Sequence, residues 1–69
     1  MTAPTWPKVR VHVGSCVRSA LRDHPRISRR LLLEWARGVA RSKAEITRLS
    51  PEKGKQINRI VDALIAASS

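Results

Sequence analysis

The sequence predicts a small, mostly α-helical domain with one short N-terminal β-strand. Three observations carry that prediction. Residues 8–13, KVRVHV, alternate strictly between Lys8, Arg10, His12 and the β-branched Val9, Val11, Val13, which is the period of a half-buried strand. Beyond residue 15 the apolar positions recur at intervals of three and four instead, the spacing of helices that bury one face. A serine stands ahead of each such run, at Ser15, Ser28, Ser42 and Ser50, where its hydroxyl can accept from an unpaired N–H at a helix start.

Taken in order, residues 1–7 place Pro4 and Pro7 around Trp6 and read as an extended arm. The strand over 8–13 follows and Gly14 ends it. Ser15 then opens a short helix, about 15–23, with Cys16, Val17, Ala20 and Leu21 on one face. Pro25 stops it and pushes His24 toward an extended conformation. Ser28 caps a second helix, about 28–40, with Ile27 and Leu32 placed as a hydrophobic staple and with Leu32, Trp35, Ala36 and Val39 at helical spacing. Ser42-Lys43-Ala44-Glu45 has the form of a capping box, so a further helix over 42–49 is expected after a turn at Ala40-Arg41. The alternative is one unbroken helix from Ser28 to Leu49. Ser50-Pro51 starts the last helix, about 51–67, whose broad apolar face carries Ile57, Ile60, Val61, Leu64 and Ile65. One domain over 1–69 with three or four helices is the expected organisation.

Composition narrows the function. The chain has 69 residues, 14 Lys+Arg and 5 Asp+Glu, for a net charge of +9. A domain this small has little room for a deep catalytic cleft, and its five scattered acids offer no carboxylate pair, so no enzyme activity and no cofactor are expected. One cysteine, Cys16, excludes a disulfide scaffold. The apolar runs at 31–33 and 63–67 fall far short of the roughly 18–20 residues of a membrane span. Residues 1–7 lack the basic start of a secretory leader, and a cytoplasmic setting is expected. Residues 8–30 hold seven basic residues and one acid, residues 31–55 six and three, and residues 56–69 one of each. A charge this large on so short a chain repels itself without an anionic partner, and phosphate groups are the first such partner to consider.

Two stretches resemble families that read DNA. Residues 32–51 are similar to the bacterial helix-turn-helix: Ala36, Ala40, Ile46 and Leu49 fall at that motif's small, small, branched and apolar positions, Val39 precedes the turn and Ser42 caps the second helix. Ala40 stands where glycine is usual, and Arg41 where an apolar residue is usual. The resemblance implies that Lys43, Ala44, Thr47 and Arg48, with Arg41 beside them, face the major groove. Residues 8–40 resemble the ribbon-helix-helix family, in which two chains pair N-terminal strands. That resemblance implies Lys8, Arg10 and His12 turned to DNA, Val9, Val11 and Val13 turned inward at a dimer seam, and Arg29 and Arg30 gripping a phosphate at a helix start. A lone strand needs a partner, so a homodimer with strands paired across the two-fold is expected, with Ile60 and Leu64 as further contacts.

The resulting expectation is a sequence-specific double-stranded-DNA-binding protein, a small dimeric transcriptional regulator. The alternatives are a protein-interaction module or inhibitor whose basic surface meets an acidic protein, with the C-terminal helix as a docking face, and an RNA-binding protein. The absence of Tyr and Phe speaks against a stacking platform for single strands. His12, Cys16 and His24 lack the paired spacing of a zinc site, and no metal is expected. Trp35 and Trp6 read as packing residues.

Overall fold

Val9, Val13 and Val17, four apart, are fully buried, while Val11 is 75% exposed. That is a helical row. In the computed structural model, which describes residues 4–68, Trp6–Asp23 form helix α1, Arg29–Ala44 helix α2 and Pro51–Ser68 helix α3. Among the described residues there are three helices and no strand.

The strand expected over 8–13 is therefore overturned, and with it the pairing of strands across a two-fold. Val9 and Val13 satisfy both a period of two and a period of four, so within six residues only Val11 separates the two patterns. A strand there would leave its N–H and C=O groups without partners on this chain, whereas the helix pairs them internally and extends the buried row to Val17. The arm expected over 1–7 also changes. Trp6 and Pro7 belong to the first turn of α1, where proline's missing N–H loses nothing. Thr5 is the extended N-cap residue, and the Val9 N–H reaches its carbonyl at 3.1 Å. Residues 1–3 lie outside the described residues. The helix expected at 15–23 is the second half of α1.

Pro25 ends α1. The His24 N–H closes on the Ala20 carbonyl at 2.7 Å, and a tight turn at 25–26 leads to Ser28, whose Oγ accepts from the Leu31 N–H at 3.2 Å. From there α2 runs through Ala40-Arg41 without interruption, so the break expected there and the separate helix over 42–49 are corrected. Leu32, Ala36 and Ala40 form one fully buried row, and a turn at Ala40 would cut that row short. The helix stops at Ala44, with Glu45 in the left-handed region at φ 56° and ψ 45°. The Glu45 N–H bonds to the Ser42 carbonyl at 3.2 Å and the Ile46 N–H to the Arg41 carbonyl at 3.0 Å. These two bonds are those of a Schellman motif. Residues 46–50 are not helical, and Ser50 Oγ then accepts from the Lys53 N–H at 3.2 Å to open α3.

The core is where the three rows meet: Val9, Val13 and Val17; Leu32, Ala36 and Ala40; Ile57 and Val61. No polar side chain is buried among them. The dimer seam expected from Val9 and Val13 is thus excluded, because both side chains are spent inside their own chain. Ile60 and Leu64 are half-buried against the same core. Polar ties close the edges. Trp6 Nε1 donates to Gln56 Oε1, with Lys53 Nζ 5.0 Å from the ring centroid. Arg37 donates to Asn58 Oδ1 at 3.0 Å, and Arg29 makes two bonds to the Asp62 carboxylate at 2.7 and 3.1 Å. The molecule measures 37 × 22 × 16 Å.

Candidate nucleic-acid interface

The uninterrupted α2 places Arg37 and Arg41, four residues apart, on one side of the helix, toward α3. The turn after Glu45 carries Thr47 and Arg48 back over the start of α3, and Lys55 stands one turn into that helix. Together they line an open groove of about 300 Å³ whose floor includes Ser50, Pro51 and Gly54. Four cations face it, and no acid is among its described lining residues.

Two features of the groove favour an anion beyond the count of charges. Its floor is the N-terminal end of α3, an 18-residue helix, where the helix dipole presents positive potential, although Pro51 has no N–H and the Lys53 N–H is already taken by Ser50 Oγ. Arg37 is held by Asn58 through one terminal nitrogen, while its Nε is buried with no hydrogen-bond partner. A buried N–H left unpaired is costly; the Asn58 bond leaves the guanidinium's remaining terminal N–H groups for a ligand in the groove.

Of the residues singled out from sequence, Arg41, Thr47 and Arg48 meet in this groove. Lys43 does not: it lines a different depression, between α1 and α2, beside His12, Cys16 and Trp35. His12 Nε2 lies 3.6 Å from Cys16 Sγ there. Lys8 and Arg10 are exposed on α1, and Arg30 is exposed on α2. Arg29 is exposed but occupied by Asp62, whose hydrogen bonds and charge raise the guanidinium's already high pKa. The same bonds hold the Asp62 carboxyl below its ordinary value. Arg37, Lys55 and Asn58 were not legible as site residues. The spacing of Arg37 and Arg41 shows them on one face only once α2 is continuous, and Lys55 joins them only through the α2–α3 turn.

Trp35, read from sequence as a core anchor, is 43% exposed, whereas Trp6 packs at the seam of α1 and α3. Among the described residues no three His, Cys, Asp or Glu side chains gather as metal ligands, and no helix is long and apolar enough to cross a membrane. No family model, curated protein or solved structure matches the chain.

Proposed function

We propose that the chain is a double-stranded-DNA-binding protein of the small regulator kind, seated on the duplex by its phosphates through Arg37, Arg41, Arg48 and Lys55. The observation that carries this reading is the convergence of four cations, with no acid among them, over the N-terminal end of α3. Phosphate contacts of this kind release counterions and dominate affinity for nucleic acid. A duplex is favoured over a single strand because neither tryptophan lines the groove: Trp6 is tied to Gln56, and Trp35 faces the other side of α2. No described helix presents Lys43, Thr47 and Arg48 together to base edges, so the contacts proposed are to the backbone. By occupying its site the protein would compete with other DNA-binding machinery.

A salt-titrated anisotropy measurement tests this, with a duplex, an RNA hairpin and a single strand as probes. Four phosphate contacts give a slope of log K against log salt near −3.6 for the duplex. Replacing Arg41 and Arg48 by alanine should lower that slope by about 2 and weaken binding about tenfold or more. The control removes the same charge at Arg18 and Arg22, which line a depression at the opposite end of the molecule, and should leave most of the slope. Preference for the RNA hairpin, equal loss in the control, or no duplex binding at low salt would sink the proposal. In the last case the basic surface would belong to an acidic protein partner.

A further inference from the structure

We infer that a second copy of this chain docks on the face formed by α1 and α2, away from the basic groove. Among the described residues three large apolar side chains are exposed, and two of them, Leu31 at 58% and Trp35 at 43%, stand one turn apart on this face. Trp35 sits where two depressions adjoin. One, about 500 Å³, runs past Asp23 and Leu31; the other, about 630 Å³, runs past His12, Gly38 and Lys43. Together they make one trough along α2 from Leu31 to Ser42, about 16 Å long at 1.5 Å per residue. The opposite wall is low at its middle, where α1 contributes Cys16, Ser19 and Ala20, with His12 and Asp23 at its ends.

Charge says what covers this trough. Two copies of a chain carrying +9 repel each other over most of their surfaces. The trough departs from that surplus: its charged lining residues are Asp23, Glu45 and Lys43, two acids and one base. It is a face on which two copies can meet with little repulsion, and Trp35 stands exposed at its centre. One opposite-charge pairing is available between the ends, Asp23 with Lys43, although Glu45 stands beside Lys43. Because α1 and α2 run antiparallel, Asp23 lies at the Leu31 end and Lys43 at the His12 end. A two-fold axis near Trp35 exchanges the ends, so Asp23 of each copy faces Lys43 of the other, and the contact is made twice. Within its own chain Asp23 approaches Arg22 at 3.7 Å, both side chains being largely exposed. The basic grooves, on the α2–α3 side, stay open on both copies. The inference does not rest on DNA binding.

Sedimentation equilibrium of the full chain, from micromolar to millimolar protein, is the test. The expected result is a species of twice 7.7 kDa. Trp35→Glu should raise the dimer Kd about 30-fold or more, the effect of removing an interface anchor, while leaving the far-UV circular dichroism and the monomer's melting unchanged. Asp23→Lys and Lys43→Asp should each weaken the dimer, and the two together should restore it. A mass of 7.7 kDa throughout, including at high salt, overturns the inference. So does a dimer indifferent to Trp35→Glu, or a double variant no tighter than the single ones.

Discussion

Glu45 is the one described non-glycine residue with a positive φ. A left-handed conformation costs an L-residue with a Cβ roughly 1 kcal/mol or more, and glycine is the usual choice at that position of a Schellman motif. Glu45→Gly should therefore raise stability by about 0.5–1 kcal/mol, measured by urea denaturation, after allowing for glycine's freer unfolded state. A loss of stability would show that the side chain does something the backbone geometry does not reveal. Arg29 and Asp62 give a second prediction at this scale. The Asp62 carboxyl is held below its ordinary value chiefly by its hydrogen bonds from Arg29. Between the folded and unfolded pKa values the unfolded chain binds more protons, so stability rises with pH in that window. The stabilisation is fully present above about pH 4 and is lost as pH falls through the lowered folded value. Arg29→Gln should remove this pH dependence; an unchanged acid limb in a melting series would contradict it.

Each helix is held by a row of side chains four residues apart, and α1 shows how such a row can be concealed. Val11 and Val13 would share a face in a strand and lie on opposite sides in a helix. The two alanine substitutions should therefore differ in sign. Val13→Ala empties space in a fully buried position and should destabilise by about 2 kcal/mol. Val11→Ala acts on an exposed helical position and should be neutral or stabilising by up to about 0.5 kcal/mol. Equal losses at both positions would bring the strand back. Three element ends were readable because their signals are local: Pro25 after α1, Ser28 before α2, and Ser50-Pro51 before α3 need no distant partner. The start of α1 at Trp6 and the end of α2 at Ala44 were not readable, nor was the interior of α2. Ser42-Lys43-Ala44-Glu45 has the chemistry of a helix start, and it competes with the row Leu32, Ala36, Ala40. Burial against α1 and α3 decides for the row.

Across the whole molecule, charge divides the surface into two unlike sides. Arg37, Arg41, Arg48 and Lys55 gather on one side of α2, and Leu31, Trp35 and the two acids on the other. A dimer joined through the second side would present two basic grooves at once. Linked contacts of this kind bind a long duplex more tightly than either groove alone, provided its geometry lets both engage. The duplex titration and the sedimentation series read the two sides separately.

From the residues alone, the chain is a small, strongly basic, chiefly helical domain, because composition and capping chemistry act locally and need no knowledge of neighbours. Two of the groove's four cations, Arg41 and Arg48, were legible on the same terms, with Thr47 beside them in sequence. Arg37 and Lys55 became part of it only through the α2–α3 turn. The tertiary structure alone decided that KVRVHV is helix. A six-residue alternation is compatible with either period, and the outcome depends on which valines find α2 and α3 to pack against. It also decided that Trp35 stands outside the core. In a bundle of three helices each row faces inward over a narrow arc, and the arc of α2 is filled by Leu32, Ala36 and Ala40.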